Sequence, residues 1–168
     1  MNKEIEFKRW LREYQGIVHR VVMLYGYAPS EREDLYQEIV MALWQSIDRF
    51  EGRSKETTWI YRVALNTALG LKRKKLPVTE SLTGYETAAD DPQRDEMDWV
   101  YSRLRTLNSV DRSLVLLYLD GNSYEDIAEV LGISSSNVGA KINRIKTKLR
   151  DLLAQEQDKE ERHGSRVP

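Results

Sequence analysis

The chain has 168 residues, with 26 Lys plus Arg against 27 Asp plus Glu, a formal charge of −1. That balance excludes a uniformly basic, histone-like protein, and the length allows one domain or two small ones but no large catalytic barrel. With no cysteine and only two histidines, disulfide frameworks, zinc fingers, iron–sulfur clusters and thiol nucleophiles are excluded, and no cofactor is expected. The longest apolar run, Leu114 to Leu119, is far short of a membrane span, and the charged opening MNKEIEFKRW has no signal-peptide core. The expectation is a cytoplasmic protein without direct membrane insertion.

The first third has helical periodicity. Ile5, Trp10, Leu11, Tyr14, Ile17, Val18, Val21, Val22 and Tyr25 recur at steps of three and four, which predicts one long helix. Gly26 and Pro29 end it. Ser30 with Glu33 forms the pattern of a capping box, opening a second helix with the stripe Leu35, Ile39, Leu43, Trp44 and Ile47 that ends near 50–52. After the polar loop 51–57, Trp59, Val63, Asn66 and Leu69 mark a third helix, closed by the basic run Lys72-Arg73-Lys74-Lys75, where cations suit a helix C-terminus.

Composition shifts between 76 and 98. Pro77 and Pro92 punctuate the segment, and its acids Glu80, Glu86, Asp90, Asp91, Asp95, Glu96 and Asp98 face Arg94 alone, the pattern of a linker. Helical patterns resume from Asp91-Pro92 through Val100, Leu104 and Leu107, then through 114–119 up to Gly121. Ser123 caps a short helix through Leu131, Gly132 ends it, and Ser134 to Ser136 lead into a last long helix with Val138, Ile142, Ile145, Leu149 and Leu152. The reading is all-α: two small helical domains joined by a flexible acidic linker.

Residues 124–134 have the arrangement of a helix-turn-helix. Ala128 permits close crossing, Gly132 supplies the turn, and Ile127, Leu131, Ile133 and Val138 fill the wedge. The last helix then turns Asn137, Lys141, Arg144 and Lys148 outward, and residues 139–150 carry five bases (Lys141, Arg144, Lys146, Lys148, Arg150) and no acid. Such a helix fits a major groove, with its N-terminal polar residues at base edges and its bases on phosphates. Gly139 has two readings here, close approach to a DNA backbone or mere tolerance. An enzyme is disfavoured by motif: the Glu160–His163 pair has no second copy, and no P-loop or dinucleotide motif occurs.

Asp34-Leu35-Tyr36-Gln37-Glu38 on the second helix, with Thr58-Trp59-Ile60-Tyr61-Arg62-Val63-Ala64 and Asn66 on the third, resembles bacterial sigma factors of the extracytoplasmic function (ECF) type. The resemblance runs over about residues 5–153. It implies a region-2 helical bundle (1–76), a linker (77–95), a region-4 helix-turn-helix domain (96–155) and a polar tail (156–168). It implies RNA polymerase core as partner, docked by Asp34, Gln37 and Glu38 on the clamp helices of the largest subunit. Promoter DNA is the second implied partner. Phe50, Arg53, Ser54, Lys55, Trp59, Tyr61, Arg62, Asn66, Lys72 and Arg73 would hold the opened minus-10 strand; for Trp59, a place in the core is an equal alternative. Ser135, Ser136, Asn137, Ala140, Lys141, Arg144 and Lys148 would read the minus-35 duplex. An anti-sigma factor is the third implied partner, and no small-molecule substrate or metal is implied. Leu65 stands where the family often has arginine, Gly70 where it often has an acid, and Ala140 where a polar residue is usual.

The residue types suit these roles. Unstacked bases need apolar or aromatic surface and amide partners, and phosphates need cations. The near-zero net charge predicts weak binding to free promoter DNA, since non-specific affinity comes from phosphate neutralisation. For the acidic linker two roles stay open: shielding the DNA-reading faces, or lying near basic channels of polymerase. The rival class is a conventional helix-turn-helix regulator, dimeric on a palindromic duplex.

Overall fold

The computed structural model describes residues 2–75 and 96–164, with side chains through 74 and from 98 to 155. Seven α-helices occur among them: α1 (Lys3–Tyr25), α2 (Pro29–Ser46), α3 (Glu56–Lys75), α4 (Glu96–Leu104), α5 (Ser109–Leu119), α6 (Tyr124–Leu131) and α7 (Ser135–Gly164), with a 3-10 turn at Ile47–Arg49. The described residues contain no strand.

The first three helices enclose one core. Trp10, Val18, Val21 and Leu24 of α1 meet Leu35, Ile39 and Leu43 of α2 and Ile60, Ala64, Leu65 and Ala68 of α3. The side chains recur at helical steps, and each fully buried Leu or Ile contributes roughly 2 kcal/mol by leaving water. Trp10, 1% exposed, meets Phe50 edge-on at 5.4 Å, and Phe50 in turn leans on Trp59 at 5.7 Å. The loop after α2 is thereby pinned to the bundle by its one aromatic. Glu56 ties the start of α3 to α1: its carboxylate accepts from Arg9 and from the Tyr14 hydroxyl.

The remaining helices pack around Leu104, Leu107, Leu114, Leu117, Ile127, Val138, Ile142 and Ile145. Asn108 caps α5 by accepting from Asp111 N–H at 2.9 Å, and Ser123 caps α6 by accepting from Asp126 N–H at 3.1 Å. Gly132, at φ +68°, ends α6 in the left-handed conformation that a Cβ penalises, and Ile133 N–H returns to the Ala128 carbonyl. That turn sets the crossing of α6 and α7.

The two halves touch. α6 lies against α3 and α4 against α1. The Tyr25 hydroxyl reaches Ser109 O at 2.7 Å and Ser113 Oγ at 2.6 Å, and burial pushes its phenol up to about 12. Arg112, 1% exposed, donates to Arg105 O, Leu107 O and the Tyr27 hydroxyl. Arg105 donates to Met23 O at 2.6 Å. Backbone carbonyls and the Tyr27 phenol, rather than carboxylates, take the terminal nitrogens of these guanidinium groups, and the buried Nε of each is left without a hydrogen-bond partner.

Several expectations change. α2 starts at Pro29, not after a Ser30 cap, because the Glu31 carboxylate reaches back to Tyr27 N–H at 3.0 Å and Ala28 N–H at 3.3 Å. Ile5 and Trp44, on the predicted apolar faces, lie outside the core: Ile5 is exposed, and Trp44, 39% exposed, packs edge-on with Phe7 beneath Lys3. α4 stops at Leu104, and Leu107 is buried from the turn that follows. The last helix continues through 164, beyond the start of the expected tail. The Asp91-Pro92 helix start, the linker over 77–95 and the side chains of Glu160 and His163 lie outside the described residues.

Candidate nucleic-acid interface

Asp34, Gln37 and Glu38 are exposed on α2. Steps of three and four place them on one face, while Leu35 and Ile39 of the same helix point into the core. Glu38 also lines a groove of about 260 Å³ between α2 and α3, shared with Met41, Gln45, Asn66, Thr67 and Lys74. The acid of α2 and the exposed amide of α3, candidates for two different contacts, therefore face one cleft.

In the loop, Gly52 takes φ +70°, Arg53 is exposed and pairs with Glu51 at 2.5 Å, Ser54 is half-buried and Lys55 exposed. On α3 the candidates divide by face. Trp59 is half-buried, donating from Nε1 to Ser46 Oγ at 3.4 Å, so its ring belongs at least partly to the core. Leu65 is buried and Asn66 exposed. Tyr61 is 2% exposed and donates to Asp120. Arg62 donates to the Glu129 carbonyl at 2.8 Å and carboxylate at 3.0 Å. Lys55 pairs with Asp126 at 2.7 Å and, ahead of burial that opposes it, holds that carboxyl below the ordinary range. At the far end, Lys72 donates to the Tyr27 hydroxyl at 2.9 Å, and Arg73 is exposed. Burial opposes charging of the Tyr27 phenol, but Lys72 and Arg112 outweigh it and hold that phenol below its usual range.

In the helix-turn-helix, Ser134 Oγ accepts from Asn137 N–H at 3.3 Å. Ser136, Asn137, Ala140, Arg144 and Lys148 are exposed and Ser135 half-buried. Val138, Ile142 and Ile145 are buried on the opposite side. Lys141 is half-buried, 3.9 Å from Asp111. Lys146 turns away to the Tyr118 hydroxyl at 3.0 Å. α7 thus presents a polar, basic strip to solvent.

Sequence reasoning missed Arg20, Asp120, Asp126 and Glu129, which join the two halves. It also missed Met41 and Gln45 in the groove. The acids of α6 opposite a basic α3 were the available signal.

The family model for Sigma-70 region 2 matches residues 10–76, and that for Sigma-70, region 4 matches 97–149. The chain is 32% identical over 146 residues to the ECF RNA polymerase sigma factor SigW of Bacillus subtilis, covering 73% of this chain and 77% of that one. This chain belongs to the ECF family of sigma-70 factors. The ECF sigma-E factor of Haemophilus influenzae is 27% identical over 167 residues, with 86% of each chain covered. The fold agrees as well: CnrH in complex with the cytosolic domain of CnrY superposes with a TM-score of 0.70 at 24% identity over 90% of each chain. The sigma factor RpoE of Bartonella quintana, in complex with the anti-sigma factor NepR, gives 0.68 at 21% identity over 89% of this chain and 97% of that one.

The ECF protein is an alternative sigma factor that directs transcription initiation. A conventional helix-turn-helix regulator would have no reason to carry region 2. Sigma factors as a class are not enzymes. Among the described residues, no helix of this ECF factor is long and apolar enough to cross a membrane.

Proposed function

We propose that residues 1–76 dock the factor on RNA polymerase core and hold the opened minus-10 strand, that 77–95 link, that 96–155 read the minus-35 duplex, and that 156–168 form a tail. The observation that carries this reading is the exposed face of Asp34, Gln37 and Glu38 beside the groove leading to Asn66. A carboxylate-and-amide face complements a basic helical ridge such as the polymerase clamp helices. Phe50, Arg53, Ser54, Lys55, Trp59, Tyr61, Arg62, Asn66, Lys72 and Arg73 serve the strand. Ser135, Ser136, Asn137, Ala140, Lys141, Arg144 and Lys148 serve the duplex, the amide and hydroxyls at base edges and the cations on phosphates. The protein itself catalyses nothing and works in the cytoplasm, where polymerase performs the chemistry. Two relatives were solved with partner proteins, one an anti-sigma factor, which supports an anti-sigma partner for this chain.

The test mixes the protein with sigma-free core and genomic DNA fragments and maps transcript 5′ ends. Discrete starts sharing two spaced upstream elements are expected, lost with Gln37→Ala plus Glu38→Ala and lost again with Lys141→Glu plus Arg144→Glu. Starts surviving the α7 reversals would reduce the protein to an adaptor that does not read DNA.

A further inference from the structure

Three carboxylates of the second half sit on three cations of the first. Asp126 takes Lys55 at 2.7 Å and Thr58 Oγ1 at 3.5 Å; Glu129 takes Arg62 at 3.0 Å; Asp120 takes Arg20 at 2.6 Å together with the Tyr61 hydroxyl. Thr58 and Tyr61 are thereby closed off from solvent, at 0% and 2% exposure. Lys55, Tyr61 and Arg62 are the residues assigned above to the minus-10 strand. A run of carboxylates against a phosphate-binding face offers the same charge and the same acceptor oxygens that a nucleic-acid backbone offers. The strip on α7 is turned away from this contact and stays open.

We propose that Asp120, Asp126 and Glu129 form a built-in phosphate mimic that closes the free protein on itself, covering the minus-10 face while leaving the minus-35 face exposed. The inference rests on the strand role of Lys55 and Arg62. It places a shielding function on α6 and the end of α5, whatever the role of the acidic linker. Single-stranded DNA and the mimic compete for the same cations, so affinity for the strand is reduced by the fraction of molecules that are closed.

The chain lacks cysteine, so cysteines introduced at exposed Ser30 and Thr147 can carry a donor and acceptor dye. In the free, full-length protein, Asp126→Asn with Glu129→Gln should lower energy transfer. It should also raise affinity for a single-stranded mixed-sequence oligonucleotide about 10-fold, as opening a state about one-tenth populated requires. Glu33→Gln with Glu125→Gln, the same charge change on exposed acids outside the three pairs, should do neither. Because Asp126 also takes part in the α6 cap, a second set guards against misfolding: Arg62→Glu alone should open the protein, and adding Glu129→Arg should close it again.

Unchanged energy transfer, opening without a gain in oligonucleotide binding, or an equal gain in the control variant would each overturn the proposal. The underlying strand assignment is read separately, by Lys55→Ala plus Arg62→Ala in assembled holoenzyme. Normal transcription there would defeat that assignment while energy transfer still reported on closure.

Discussion

Tyr124, at the start of α6, lies against Gly139 of α7: a Cβ built on the glycine would sit 3.3 Å from Tyr124 Cε2. The glycine faces the partner helix of its own motif. Tyr124 is 38% exposed, so its ring can yield a few tenths of an ångström. Alanine at 139 removes a helix penalty of about 1 kcal/mol. Gly139→Ala is therefore expected to leave the melting temperature unchanged or slightly raised, whereas Gly139→Val displaces the ring and lowers stability by about 1–3 kcal/mol. Thermal melts of the two variants check this.

Gly132 is the opposite case. Nothing lies within 4 Å of a Cβ built there, but its φ is +68°. The cost of Gly132→Ala is conformational, about 1 kcal/mol, and Gly132→Asn should cost less because Asn tolerates the left-handed region. Equal losses for both variants, measured by denaturant unfolding, would contradict this account.

Glu56 holds α3 to α1 through Arg9 and Tyr14. Its carboxyl is held below the ordinary range, first by the hydrogen bond from Arg9, with burial opposing. A depressed carboxyl contributes stability that is fully present above its unfolded pKa and is lost as pH falls through the folded value. The melting difference between parent and Glu56→Gln should thus be constant from neutrality to about pH 5 and shrink toward zero in stronger acid. Arg9 keeps Glu6 and Glu13 as partners, so the neutral-pH loss should be modest, about 1–2 kcal/mol.

Arg112→Ala should be among the costliest single changes outside the leucine core. It leaves Arg105 O and Leu107 O without their guanidinium donor and opens a void beside the Tyr25 ring, whose centroid lies 5.3 Å from the Arg112 guanidinium carbon. The expected loss is about 3 kcal/mol. Arg112→Lys should recover only part of it, because one ammonium cannot reproduce the planar fork.

Local rules made most of this molecule legible from its residues. Leu35 and Ile39 pointing in force Asp34, Gln37 and Glu38 to point out, and Gly132 after an amphipathic octamer marks the turn of the motif. The errors arose where neighbours offered equivalent chemistry. Glu31 and Glu33 both follow Pro29 closely, and only the chain's exit from α1 decides which one caps α2. Trp44 lies beside a genuine stripe on a broad helix face, and its neighbours Phe7 and Lys3 come from another element. The pairing of Lys55 with Asp126 spans 71 positions and follows from how two finished domains meet, which no local period encodes.

The contact between the halves is fastened differently at its two ends. Lys55–Asp126 and Arg62–Glu129 are partly solvated ion pairs, which dissolved salt screens within about 10 Å at 0.1 M. Arg105 and Arg112 instead reach across to the Met23 carbonyl and the Tyr27 hydroxyl, dipolar acceptors on which dissolved salt acts less than on a pair of full charges. Rising ionic strength is therefore expected to weaken the Lys55 and Arg62 pairs before the Arg105 and Arg112 contacts, so that a salt titration should part the interface from the α3–α6 side first.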